Sequence, residues 1–536
     1  MSFIYGVLLT HSNLRLHDDL YELIEHNESE NVAVQYRQTD KAEELAEEMS
    51  NIELESNGPV PGSPPVLGHP SGISSVTSNT SKRRKRHVMS MIGVEPTGPN
   101  PSSPNSKATS TSPPRTGTYT SSTLIYITSC FGASCLGMPW CFAQCGWALA
   151  LILLILTALV TQWGASLLLQ CAVKVSGEPS GGVSIKQVAI IASPTLASLP
   201  EVVVIINCLG SAISALVVSG FLLPRTFRSL DSLREKFHRD LMASIEWKNL
   251  LKERVLWISI ITACVLPLCF LRDITPLKYT GLVSLVAVTF ATVVMASAYF
   301  SPSFFDTCEV MGRSPCATDV VAFRLDNVTG VLASIPAFFF NYSCNYQLLT
   351  VHNALAIKST KTSNLAIGNT MIIITTIYIV LGLTTYRTFG ADLESNFLGN
   401  YGNNVVIDLV RLFIILSVAL LFPLTIFTAR ASVMSILGPA YVTKFNSKHV
   451  FFTISLLLVA FAYVVAISVA NLNVILGVGG ALSTVPITLV LPGSYTASLA
   501  EKGPAGDGDR RKGRVAMITG YVLTFLCLYG ALAMRN

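Results

Sequence analysis

The chain has 536 residues, a formal net charge of +5, and only 13% charged against 51% hydrophobic residues, with a mean hydropathy of +0.53. Soluble globular proteins carry roughly 25% charged residues, so this composition excludes a water-soluble globular chain. The small positive charge gives no footing for nucleic-acid binding. A bilayer core about 30 Å thick takes about 20 apolar residues per helical span. Runs of that kind follow one another from Ser121 onward, and in lipid they must be helical because every backbone N–H and C=O has to be paired internally.

Residues 1–118 read as a disordered cytosolic tail, mixed in charge and then rich in Ser, Pro, Gly and Thr from Asn57. Such a segment cannot bury enough apolar surface to offset its ordering entropy. It holds the basic run Lys82-Arg83-Arg84-Lys85-Arg86, read as a cytosolic cluster near anionic lipid rather than a nuclear address. Asp19-Leu20-Tyr21-Glu22-Leu23-Ile24 resembles an acidic dileucine sorting signal and contains a tyrosine-based one. It points to a vacuolar or endolysosomal membrane, with the plasma membrane as the alternative.

The transmembrane domain is expected over 119–536. Eleven spans are predicted, near 122–144, 147–171, 200–223, 254–271, 279–300, 328–353, 366–386, 404–428, 449–469, 471–494 and 514–534. Lys and Arg in short loops set orientation. With the tail inside, the cytosolic loops hold Lys174, Lys186, Arg272, Lys278, Lys358, Lys361, Arg430, Lys444, Lys448 and the Lys502–Arg514 cluster. The loop between spans three and four opposes the rule, with Arg225, Arg228, Arg234 and four further cations. The loop 301–327 supports it. Its Cys308 and Cys316 are placed to form a disulfide, and Asn327-Val328-Thr329 is a glycosylation sequon; both belong on the lumenal or extracellular side.

Two spans carry interruptions. Span one contains Gly132-Ala133-Ser134-Cys135-Leu136-Gly137-Met138-Pro139, and glycine and proline weaken a helix at membrane depth. Broken backbone is tolerated there only where it is buried in protein or lines a cavity. Helix halves then aim free N–H groups at an anionic group such as a carboxylate. Span six contains Pro336 and then Phe340-Asn341-Tyr342-Ser343-Cys344-Asn345-Tyr346. Two interrupted helices five spans apart fit two repeats of five around a midplane site. Gly132, Ala133, Ser134, Cys135, Phe340, Asn341 and Ser343 are the expected substrate-binding residues.

These residues resemble the amino acid/auxin permease family over about 121–534. The span-one motif, followed by Phe142-Ala143-Gln144-Cys145-Gly146-Trp147, is similar to the family's G-S-G-I-L-x-L-P region. Ile335-Pro336 through Phe340, with Cys344 and Leu355, resembles its sixth helix. Tyr386-Arg387-Thr388-Phe389-Gly390, with Asn396 and Leu398, resembles its Y-x-x-F-G exit. Arg411, Phe422-Pro423 and Arg430 resemble its eighth helix, and Gly480-Ala481 with Pro492 its tenth. Ser134, Asn345 and Tyr346 depart from the usual Gly, His and Pro. The resemblance implies an all-α LeuT-like fold, a 5+5 inverted repeat plus one extra helix. It also implies secondary transport of amino acids by alternating access.

In sodium-coupled relatives, an Asn precedes the helix-one motif and hydroxyls precede the helix-eight proline. Here Thr128 takes the first place, and Ala419, Leu420, Leu421 and Phe422 the second, with Ser417 the nearest hydroxyl. Thr128 and Ser417 are therefore weak ion-coupling candidates, and transport is expected to be sodium-independent or proton-coupled. Asp408 and Arg411, three apart on span eight, are placed to form a structural pair. His352 is the one imidazole near the inner end of span six; a proton-coupling part is conceivable because histidine titrates near neutral pH, though a structural role is the ordinary reading. No CxxC pair, phosphate-binding loop, filter-like loop or catalytic constellation is present, so neither metal, cofactor nor enzymatic activity is expected. The alternative function is a nutrient sensor built on a transporter fold, with the tail as its signalling arm.

Overall fold

The computed structural model describes residues 118–177, 183–235, 254–271, 280–301, 319–356, 359–402, 404–438, 447–469, 471–501 and 503–533. The predicted tail up to residue 117, the Cys308–Cys316 pair and most charges of the loop between spans three and four lie outside them. Regular structure among the described residues is helical, without a strand.

The first apolar run forms α1 (Tyr119–Cys130), a 3₁₀ segment (Ala133–Gly137) and α2 (Met138–Cys145). Gly146, at φ 82°, turns the chain directly into α3 (Trp147–Ser176). That conformation favours glycine, and a Cβ there would lie 2.7 Å from the Ala322 carbonyl oxygen. Non-helical backbone at 319–325 covers this turn. Trp147 N donates to Val321 O at 3.1 Å, and Arg324 N to Cys145 O at 2.9 Å. The orphan groups at two helix ends are thereby satisfied.

A short amphipathic helix α4 (Ile185–Ala192) leads into α5 (Leu199–Glu235), α6 (Arg254–Cys269) and α7 (Thr280–Phe300). The second interrupted run follows as α8 (Val328–Asn341) and α9 (Leu348–Ala354). Then come α10 (Thr360–Phe389), α11 (Val405–Leu437) and α12 (Ser447–Ser468). The tenth run is α13 (Leu472–Gly479), two widened π segments (Gly480–Thr484 and Pro486–Val490) and α14 (Leu491–Ser498); α15 (Pro504–Ala533) closes the chain.

Helix occupies each of the eleven predicted ranges. Eight of the described helical stretches are long and apolar enough to cross a membrane, or nine when the pair bent by 51° at residues 131–132 is taken as one span. The other two ranges hold α6, of 16 residues with Pro267 inside it, and the α8–α9 pair.

Two charge placements are corrected. Arg430, expected in a cytosolic loop, is buried inside α11, which runs on to Leu437. Its guanidinium donates to the carbonyls of Cys269 (2.8 Å) and Leu271 (3.2 Å) where α6 ends, and stacks 3.8 Å above the Phe451 ring. A cation placed on orphan carbonyls has good reason to be inside. Arg225, also expected in a loop, lies on α5, which continues through Pro224. It sits 3.6 Å over the Phe221 ring and 3.6 Å from Glu394.

Candidate functional site: a closed cavity between two interrupted helices

Between α1 and the 3₁₀ segment, Phe131 (φ −87°, ψ 88°) and Gly132 (φ −123°, ψ −161°) leave helical geometry. The break strands carbonyls at the end of α1, and α10 supplies partners: Tyr378 Oη donates to Cys130 O at 3.1 Å. At the second break Tyr342, Ser343 and Cys344 turn without helix continuation. Tyr342 Oη meets Thr375 Oγ1 of the same α10 at 2.7 Å. One helix, α10, thus braces both discontinuities.

The two breaks face one small cavity of about 20 Å³, room for about one water. Gly132, Ala133 and Ser134 line it from the first break, with Ser129 from the end of α1. Phe340, Ser343 and Tyr346 line it from the second. Ser211 and Ser214 come from α5, and Leu421 and Thr425 from α11. The Phe340 ring slots between two glycines: a Cβ on Gly210 would lie 3.3 Å from it and one on Gly479 2.9 Å.

Five of the seven expected binding residues therefore meet here: Gly132, Ala133, Ser134, Phe340 and Ser343. Cys135 and Asn341 are buried but are not in the wall. Asn341 Nδ2 folds back on its own helix and donates to Ala337 O at 2.9 Å. The wall residues the sequence reading passed over are Ser129, Ser211, Ser214, Tyr346, Leu421 and Thr425. One signal for them was available. Asn207, Ser211 and Ser214 recur at i, i+4 and i+7 on an otherwise apolar helix, which is one face of it.

Just past the first break the 3₁₀ segment packs tightly on α13: a Cβ at Gly137 would lie 2.7 Å from Leu476 and 2.8 Å from Asn473 Oδ1, so this close approach depends on glycine. Tyr346 stands between the cavity and a vestibule of about 240 Å³ and lines both. Gln347 Nε2 donates to Tyr346 Oη at 3.0 Å, and Ser129 Oγ lies 2.7 Å from Gln347 Oε1. The vestibule lies among the starts of α4 and α5, α9 and the last turns of α11, and Glu201 lies in its wall. Ser435 Oγ donates to Glu201 Oε1 at 3.0 Å, and Lys186 Nζ donates to the Ser435 carbonyl.

The remaining expected residues lie elsewhere. Thr128 Oγ1 donates to Leu124 O at 2.7 Å and packs on Gly281 of α7. Ser417 Oγ donates to Ser284 Oγ, also on α7, at 2.7 Å. His352 is buried, its Nδ1 2.7 Å from Ser363 Oγ. Asp408 and Arg411 pair at 2.8 Å, and Arg411 also donates to the carbonyls of Leu398 and Tyr401. Asn327 caps α8, accepting from Gly330 N at 3.1 Å while its Nδ2 donates to Gln144 Oε1 at 2.7 Å. Among the described residues no group of three or more His, Cys, Asp or Glu side chains could hold a metal ion.

A bundle of membrane-length helices around a closed, polar cavity at two helix breaks has the build of a multi-pass membrane transporter. Residues 115–535 match the family described as transmembrane amino acid transporter protein, and the chain belongs to that family of transporters, which are not enzymes. It is similar to vacuolar amino acid transporter 5 of Saccharomyces cerevisiae, 25% identical over 431 residues, 73% of this chain and 90% of the relative. Its likeness to vacuolar amino acid transporter 5 of Schizosaccharomyces pombe is 25% over 417 residues, 76% and 93% of the two chains. A mouse sodium-coupled neutral amino acid transporter 4 is 25% identical over 222 residues, 40% and 39% of the two. Among solved structures, a closed nucleobase-cation-symport-1 family transporter superposes with TM-score 0.47 at 13% identity, covering 78% of this chain and 93% of its own.

Proposed function

We propose that the protein is a secondary transporter of amino acids that works by alternating access around the cavity between the two breaks. The observation that carries this reading is the junction of Gly132–Ser134 with Phe340 and Ser343 in one chamber. Helix halves at such a site present N–H groups to a carboxylate and carbonyls to an ammonium without any ionised side chain. On this reading the chain crosses the membrane eleven times, as two inverted repeats of five with α15 as the extra helix. The two breaks then sit in the first helix of each repeat. The start of α1 and the 240 Å³ vestibule face the cytosol. The vacuolar membrane is the proposed address, supported by the names of the yeast relatives and by the sorting-like segment Asp19–Ile24.

Uptake of labelled amino acids into proteoliposomes tests the function and separates a transporter from a sensor. Gly132 sharpens it. A Cβ there would stand 3.4 Å from Leu421 Cδ2, ordinary contact, whereas two further methyls would enter the chamber. Gly132→Ala should keep measurable uptake and Gly132→Val should abolish it at unchanged protein abundance. Normal uptake by Gly132→Val would remove the cavity from the transport path.

The proposed coupling is sodium-independent, with protons as the better partner. No side-chain oxygen occurs between Ala419 and Phe422, and the hydroxyls of Thr128 and Ser417 both rest on α7.

A further inference from the structure

Asn207 lies on α5, buried, one turn before the cavity residue Ser211 and two turns before Ser214. It is outside the cavity wall, yet three hydroxyl groups converge on its single amide oxygen. Ser343 Oγ donates to Asn207 Oδ1 at 2.9 Å, Ser483 Oγ lies 3.1 Å from it, and Thr484 Oγ1 3.3 Å. Ser343 belongs to the break in the sixth run, and Ser483 and Thr484 to the π-widened turn of the tenth. One side chain therefore ties α5, the second break and the π segment together. Widened turns of this kind recur at functional sites.

The direction of these bonds decides what the cavity can recognise. A hydroxyl has one proton and two lone pairs. Ser343 gives its proton to Asn207, so its lone pairs are what it can offer the chamber. Thr425 Oγ1 likewise donates to Phe422 O (2.8 Å) and Ser214 Oγ to Gly210 O (2.8 Å). Ser129 Oγ donates to Ile125 O or Gln347 Oε1. Four hydroxyls of the wall thus act as acceptors toward a ligand. Among the described residues, Ser134 and Ser211 are the wall serines with no such bond, and the Tyr346 hydroxyl accepts from Gln347 Nε2 at 3.0 Å. No carboxylate, lysine, arginine or histidine lines the cavity, and an ionised group buried there without a counter-charge is strongly disfavoured.

Resting on the transport reading above, we infer that Asn207 is a positioning residue that fixes Ser343 as an acceptor for the substrate's α-ammonium, and that the uncharged wall admits amino acids with uncharged side chains once the chamber widens from its closed volume of about 20 Å³. The carboxylate falls to the first break, the ammonium to the acceptor wall, and nothing remains to balance a third charge.

The experiment is initial-rate uptake in proteoliposomes, with the twenty amino acids as competitors at about tenfold excess. Alanine- and serine-sized neutral amino acids should compete. N-acetylalanine, which lacks the ammonium, should not, and neither should lysine, arginine, aspartate or glutamate. Asn207→Ala should raise KM about tenfold with the maximal rate within about twofold, as expected when a bond to a charged group is weakened. Asn207→Asp, which keeps an accepting oxygen, should recover most of that loss and serves where Asn207→Ala folds poorly. Ser483→Ala, which removes a neighbouring hydroxyl whose one proton goes to Gly479 O at 2.6 Å, should leave KM within about twofold. In a Ser343→Ala background, Asn207→Ala should add less than about twofold, because two residues acting through one contact are non-additive. Fully additive losses in KM, or a loss confined to the maximal rate, would overturn the positioning role. Competition by lysine or glutamate equal to that by alanine would overturn the substrate class. If no amino acid is taken up by the wild-type protein, the transport reading itself fails and this inference falls with it.

Discussion

Arg411 and Arg430 stand on one helix, both buried, and are accommodated differently. Arg411 has a carboxylate partner in Asp408, within a turn of its own helix, and donates besides to the carbonyls of Leu398, Tyr401 and, at 3.4 Å, Gly402. Among the described residues Arg430 has no acidic partner; carbonyls at the end of α6, the hydroxyl of Ser455 and the Phe451 ring surround it instead. Breaking a buried ion pair by removing one member costs roughly 3–5 kcal/mol, because the survivor is left uncompensated. Asp408→Ala should therefore lower the melting temperature of the purified protein clearly, and Asp408→Asn, which keeps an acceptor for Arg411 Nη1, should lower it less. Equal and negligible shifts would mean that the carbonyl cluster alone carries Arg411.

At the scale of elements, the interrupted helices depend on close neighbours. Pro336 lacks an N–H, and its own carbonyl is pressed by the tenth run: a Cβ at Gly480 would lie 2.0 Å from Pro336 O. Neither backbone can yield far without moving the second break that begins six residues later, at Tyr342. Gly480→Val should consequently reduce folded yield and uptake together, as overpacking of 1–3 kcal/mol or more does. Gly508, with nothing within 4 Å of a Cβ, gives the matched control, and Gly508→Ala should leave both unchanged. Size-exclusion recovery and proteoliposome uptake measure the two quantities. A Gly480→Val protein of normal yield and rate would show that α8 and the π segment slide freely against one another.

For the whole molecule, coupling and address are the properties to measure. Replacing sodium by choline at two external pH values should leave the initial uptake rate largely intact at one or both. A collapse in choline at both would show that an ion site forms between α1 and α11 despite the apolar stretch Ala419–Phe422. The double substitution Leu23→Ala, Ile24→Ala should shift fluorescently tagged protein away from the vacuolar or endolysosomal membrane toward the cell surface. An unchanged distribution would remove the sorting role from that segment.

Helix placement was legible along the chain because bilayer thickness and backbone pairing act locally. Gly132 marked the first break, and the polar run at Asn341–Tyr346 marked the second, for the same reason: a missing Cβ or a buried polar group is visible in any short window. The Asp408–Arg411 pair was equally local, a spacing of three on one helix. Tertiary structure decided which side chains meet. Cys135 and Asn341 belong to the broken segments yet turn out of the cavity, while Tyr346, read as the end of the second break and a departure from a family pattern, lines both cavity and vestibule. Arg430 looked like a loop cation until the end of α6 arrived to accept its protons. Asn207 meets Ser343 across 136 residues and Ser483 across 276. Hydropathy and spacing describe a helix one turn at a time, and no turn of α5 carries information about the hydroxyls that other helices bring to it.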